Sequence, residues 1–246
     1  MKNTSLNFDV NATMQAGPVP TIQTIWAKAH FAQAAVVIVL LAAAFLTRMA
    51  WFNDPVADYD EQLYSLIGER MLHGSLPFVD LWDRKPFGLF TIFALAHLIS
   101  GPDPIAYQVT ATLFAFAGAW LVYSLAMPLT DRLTACGAGV IYLCMMTRFG
   151  SHSAQSEIFL MPFMLGMVAL MRGCNEQNID RRLTIAMLLG GIALQIKYTV
   201  LPQCIFAGIY AIYLNVKLGV PTSQVLIRST RYALMGLLPT MLVFVF

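Results

Sequence analysis

The sequence predicts an all-α protein, a polytopic transmembrane helical bundle with one amphipathic helix lying at the membrane surface. Three observations predict it. Hydrophobic residues make up 58% of the 246 and charged residues only 11%, where soluble domains carry about a quarter; mean hydropathy is +0.67. Apolar runs recur along the chain and approach the roughly 17–25 residues a spanning helix needs. One polar stretch, residues 58–87, interrupts them and gathers much of the acid and base. Between two spans such a stretch must sit in water or at the headgroups, because hydrocarbon satisfies no backbone polar group. A net charge of +2 with no basic tract gives no sign of a nucleic-acid partner. Cys136, Cys144, Cys174 and Cys204 lack CxxC spacing and histidine neighbours, so neither a disulfide framework nor a zinc site is expected.

Residues 1–30 read as a polar N-terminal tail, with Gly17-Pro18-Val19-Pro20 breaking any helix, and residues 31–246 as the membrane module. Residues 31–52 form the first, uncleaved span, too long and too far from the N-terminus for a secretory signal. Arg48 near its end suits a snorkelling charge and Trp51 an aromatic belt residue. The first outer loop covers residues 53–86. Asp58 with Glu61 three residues on reads as a capping box. Tyr59, Leu63, Leu66, Ile67 and Met71 then recur at helical spacing, and Gly74 and Pro77 stop the pattern. This predicts an amphipathic surface helix over 59–73. Pro86 suits the first turn of the next helix, which places Arg84 and Lys85 at a helix N-terminus. Further apolar segments follow at 87–100, 105–127, 132–147, 158–171, 183–196, 199–214 and 232–246. The run Leu242-Val243-Phe244-Val245-Phe246 closes the sequence without a flanking anchor, which reads as a partial chain.

Arginine and lysine bias orients these segments. Arg172, Arg181 and Arg182, and then Lys217, Arg228 and Arg231, mark two cytoplasmic connections. Residues 183–214 are then a hairpin whose tip near Lys197 faces outward, and Glu157 lies on that outer face too. Three apolar stretches separate the 58–87 loop from Glu157, so three full crossings would part them. For the two to share a site one stretch must dip and return, and residues 132–147 are the expected one.

The ordered pattern Asp60-Glu61-Gln62-Leu63-Tyr64, Met71-Leu72-His73-Gly74 and Asp83-Arg84-Lys85-Pro86 resembles the first extracytoplasmic loop of lipid-dependent glycosyltransferases of the GT-C fold. The likeness is to the branch holding the aminoarabinose lipid A transferases and the protein O-mannosyltransferases. Glu157 opening a span, and the glycine-rich run from Gly190 to Lys197, also look familial. The resemblance covers roughly residues 31–215 and omits that family's C-terminal part. It implies transfer of a sugar, with inversion, from a polyprenyl-phosphate-linked donor to a lipid, glycan or protein acceptor. The setting it implies is a bacterial inner (plasma) membrane, with the site facing the periplasm or exterior and membrane lipids as neighbours. A divalent metal ion, held by Asp60 and Glu157, is an option within the wider fold.

Such a reaction needs a base for the acceptor and cations for the departing phosphate. Asp60 is the candidate base, with helix-dipole complementation as its plain alternative. Glu157 is a second acid or again a dipole partner. Lys85 would hold phosphate at a helix N-terminus, or anchor at the interface beside Trp82. Lys197 would contact phosphate or mark a turn. Glu61, Tyr64 and Arg84 complete the candidate substrate-binding set, although Glu61 also suits capping with Asp58, and Arg84 an anchor. Asp83 is expected to pair with Arg84 or Lys85, with metal binding as its alternative, and His73 and His152 to lie at the surface. The rival class is a non-enzymatic membrane protein, a transporter or lipid-handling subunit. It would place charges inside the later spans, but 158–171 and 183–196 contain none.

Overall fold

A computed structural model describes residues 22–245, with side chains from residue 30. The expected break at Gly17-Pro18-Val19-Pro20 lies outside the described residues. Those residues form nine α-helices and no strand: α1 (Ile22–Leu46), α2 (Tyr59–Leu72), α3 (Phe87–Ser100), α4 (Pro104–Ala126), α5 (Arg132–Arg148), α6 (Ser156–Arg172), α7 (Ile179–Leu194), α8 (Leu201–Lys217) and α9 (Thr222–Val243). Helix α1 begins upstream of the residue 31 expected from hydropathy. Three stretches are long and apolar enough to cross a membrane: His30–Trp51, Pro104–Ala126 and Tyr198–Lys217. The protein is an integral membrane protein.

Local chemistry sets the helix ends. Asp58 caps α2, its Oδ1 accepting the Asp60 N–H at 2.9 Å, and Gly74 at φ +88° ends it in the left-handed region that suits glycine. Asp131 caps α5 through the N–H groups of Leu133 and Thr134. Pro86 is the N-cap of α3, one residue before the turn expected to hold it.

Helix α6 packs on α4 and α7, α7 on α9, α4 on α5, and α2 on α3. Where α2 meets α3, a Cβ on Gly68 would come within 2.8 Å of the Ala94 nitrogen and Phe93 Cβ, so glycine permits the crossing. Below the site, Met167, Ile179, Leu183, Ala186, Ala211 and Tyr232 form a buried apolar cluster shared by α6 to α9.

The helix that fails to cross is α3, not the 132–147 segment. The turn 151–156 between α5 and α6 gathers partners from much of the chain. Arg48 donates to the Ser151 carbonyl at 3.1 Å, His152 Nε2 to the Ala57 carbonyl at 3.0 Å, and the Ala154 N–H to Glu61 Oε2 at 2.7 Å. Lys85, just before α3, reaches Ser156 Oγ at 3.4 Å. Past α3, Gln108 of α4 accepts the Asn53 N–H at 2.7 Å and donates to the Asp54 carbonyl at 3.0 Å. Both ends of α3 therefore meet the same face. Its 14 residues extend only about 21 Å at 1.5 Å each, short of the hydrocarbon thickness of about 30 Å. Helix α5 runs back alongside α4. Its C-terminal end enters the 151–156 turn, while its N-terminal end follows the close of α4, where Arg172 bonds the Leu125 carbonyl. With α3 removed from the count, the 58–87 loop and Glu157 share one face.

Three side chains depart from expectation for one reason, the tight seating of that turn. Arg48 is buried rather than snorkelling. His152 is half-buried, its ring tilted against Trp51 with centroids 4.7 Å apart. Glu61 does not close a capping box; it turns inward to Ala154.

Candidate active site

Four elements deliver the site: the first turns of α2, the residues entering α3, the start of α6 and the turn between α7 and α8. Asp60 stands on the first turn of α2. One turn later the Tyr64 hydroxyl donates to Asp60 Oδ2 at 3.0 Å. Tyr64 is buried between Phe90 and Phe93, with ring centroids 6.2 and 5.7 Å away. Burial pushes its hydroxyl well above the usual tyrosine range, and the Asp60 charge adds to this, so it stays a donor.

Lys85 is 8% exposed. Its ammonium lies 5.5 Å from the Tyr64 ring centroid and donates to Ser156 Oγ. Burial lowers its pKa; the neighbouring Lys197 charge adds to that, and Glu157 and Asp60 oppose it. Ser156 is fully buried and donates to Glu157 Oε2 at 3.0 Å, while Glu157 Oε1 takes the ion pair from Lys197. Asp60, Tyr64, Lys85, Ser156, Glu157 and Lys197 thus form one continuous chain of contacts.

Lys197 reaches the site because α7 ends against α3. The Leu89 N–H donates to the Gln195 carbonyl at 3.1 Å. At Gly88 a Cβ would come within 2.7 Å of Gln195 Cβ and carbonyl oxygen. Only glycine lets the two helix ends close on each other, and that contact brings the Lys85 and Lys197 turns together.

Two candidates stand apart. Glu61 is fully buried and offers no oxygen at the surface. Burial raises its carboxyl, with the Ala154 N–H hydrogen bond pulling the other way. Arg84 is exposed. Asp83 makes no ion pair with Arg84 or Lys85; its Oδ1 accepts the Lys85 N–H at 2.7 Å and fixes the entry to α3. A spacing of one or two residues favours neither outcome for Asp83, so the sequence could not distinguish them.

Residues 84–245 match the model of the dolichyl-phosphate-mannose-protein mannosyltransferase family. The chain belongs to that family. It is a membrane glycosyltransferase of the GT-C type, which the resemblance in its first loop had implied. No curated protein and no solved structure matches it. The family match takes in Lys85, Glu157 and Lys197 and begins after Asp60, Glu61 and Tyr64.

The residues present do not fit a divalent cation at Asp60 and Glu157. Both Glu157 oxygens are engaged, by Lys197 and Ser156, and Asp60 Oδ2 by Tyr64. Two lysine ammoniums already supply the positive charge, and among the described residues no three metal-ligating side chains come together. Divalent sites draw on several carboxylate or carbonyl oxygens at once. Ser156 is the participant that sequence reading missed. A serine before a helix-opening glutamate reads as an N-cap, and only the fold shows Lys85 arriving at its hydroxyl.

Proposed function

We propose that this glycosyltransferase moves a sugar from a polyprenyl-phosphate donor to an acceptor hydroxyl on the face bearing the site, by a single inverting displacement. The observation that carries this reading is the meeting of two lysines with two carboxylates at the membrane boundary. Asp60 takes the acceptor proton, and its Tyr64 hydrogen bond aims one carboxylate oxygen and leaves the other for the substrate. Lys85, held by a hydroxyl and a ring face rather than by a carboxylate, is available to the donor phosphate. Lys197 joins it by exchanging Glu157 for the phosphate, which frees Glu157 as the second acid. Arg84 contacts the lipid headgroup at the rim. Glu61 acts through the 151–156 turn, holding Glu157 at a fixed distance from Asp60.

An open groove of about 740 Å³ between α6 and α8 supports a lipid donor. It begins at Pro202 and Gln203, just past Lys197, and is lined by Met164, Met167, Val168 and Phe206. The charges support the orientation. Arg132, Arg172, Arg181, Arg182, Lys217, Arg228 and Arg231 lie on the opposite face with only Asp131, Glu176 and Asp180. That is the lysine and arginine excess of a cytoplasmic face, leaving the site on the periplasmic or outer side of a plasma membrane.

The test is transfer by the wild-type protein in proteoliposomes, offered polyprenyl-phosphate sugars and nucleotide sugars in parallel. The expected result is product from the lipid donor with inverted anomeric configuration. Product from nucleotide sugars alone, or with retained configuration, would overturn the reading.

A further inference from the structure

We propose that Arg48 is a positioning residue for the transfer reaction proposed above, gripping the 151–156 turn and so setting where Ser156 and Glu157 stand in the site. Arg48 is 1% exposed, yet among the described residues no carboxylate lies within ion-pair reach of it. Its guanidinium donates through Nη2 to the Ser151 carbonyl at 3.1 Å and through Nη1 to Thr47 Oγ1 at 3.3 Å, and Nε has no partner. A buried charge without a counter-ion is costly, and an apolar side chain of similar length would spare that cost. The carboxyl end of α1, whose dipole favours a cation, offsets only part of it. Arg48 thus adds no ion pair to the stability of the fold; its strongest contact is the carbonyl of the turn.

Loops normally run over the surface, but Ser151, Ser153, Ala154 and Ser156 are each at most 5% exposed. Backbone groups buried so deeply must find partners, and this turn draws them from three places. Arg48 takes the Ser151 carbonyl, the Ala57 carbonyl takes His152, and Glu61 takes the Ala154 N–H. Arg48 and Glu61 act as a split pair, opposite charges that bind a carbonyl and an N–H of one turn instead of each other. Ala57 and Glu61 belong to the segment that carries Asp60, whereas Arg48 belongs to the first span and holds the turn independently of that segment.

The grip lies next to the chemistry. Only Gln155, the N-cap of α6, separates Ala154 from Ser156. Ser156 then receives Lys85 and orients Glu157, which takes Lys197. A displacement at Ser151 is therefore carried within a few residues to the groups that hold both lysines.

The test uses the full chain in proteoliposomes with two substitutions. Arg48→Met keeps an apolar stem of similar length, and Arg48→Lys keeps a charged donor for the Ser151 carbonyl. Arg48→Met should raise amide hydrogen exchange over residues 151–157 while the rest of α6 stays protected. It should also lower kcat/KM for the lipid donor about tenfold or more, as loss of one hydrogen bond to a charged group does. Arg48→Lys should restore most of both. In a Ser156→Ala, Glu157→Gln background, Arg48→Met should cost little further transfer, because the groups it positions are already gone. An equal loss in both backgrounds would assign Arg48 to the fold and overturn the proposal. Unchanged exchange over 151–157 would overturn it too, and that readout needs no transfer; absence of transfer by the wild type would count against the proposed reaction instead.

Discussion

Ser156→Ala removes one buried hydroxyl and cuts the hydrogen bond that holds the Lys85 ammonium. The same hydroxyl orients Glu157 at 3.0 Å. Hydrogen bonds to charged groups contribute about 1.5–3 kcal/mol each, and the 3.4 Å contact to Lys85 belongs at the low end. The variant leaves Lys85 with the Tyr64 ring, a cation–π contact of about 0.5–2 kcal/mol, and with the longer-range Glu157 and Asp60 charges. Transition-state stabilisation should fall by about 2 kcal/mol, or roughly 30-fold in kcat/KM for the lipid donor. The assay is donor-dependent transfer in proteoliposomes, with thermal unfolding of the same preparations in parallel. A lowered Tm with unchanged kcat/KM would refute the reasoning, because Ser156 would then serve the fold and not the site.

Glu61 makes a pH prediction. Its carboxyl is raised by burial, so the folded chain binds its proton more tightly than the unfolded chain does. Stability from this group is full below the ordinary carboxylate range and is lost as pH rises through the raised folded value. Glu61→Gln keeps an acceptor for the Ala154 N–H and should flatten that part of the Tm profile; an unchanged profile would remove Glu61 as its source. Gly88→Ala drives a methyl group into Gln195, a form of overpacking that costs about 1–3 kcal/mol. It should lower both Tm and transfer by parting the Lys85 turn from the Lys197 turn, whereas an unaffected enzyme would show that the two helix ends can separate freely.

Much of this was legible in the sequence, for reasons particular residues supply. Helical periodicity from Tyr59 to Met71 and the Gly74 stop located α2 to within a residue, because caps and apolar stripes are local effects. The motif residues Asp60, Tyr64, Lys85, Glu157 and Lys197 were each singled out, and all of them meet. What stayed hidden was tertiary. Hydropathy marks both 87–100 and 132–147 as apolar segments, and only the tertiary hydrogen bonds at its two ends show that α3 returns to its own face. Arg48 and Glu61 look like surface charges until the 151–156 turn closes over them. Ser156 carries no signal apart from its neighbours in space.

Transfer by Asp60→Asn against wild type, at matched membrane insertion and donor binding, tests the central claim most directly. The substitution keeps the side chain's size and its Tyr64 contact while removing the base. A general base contributes about 10²–10⁴-fold, and a loss of that size is what the account predicts. Transfer at the wild-type rate would take Asp60 out of the mechanism and contradict the account.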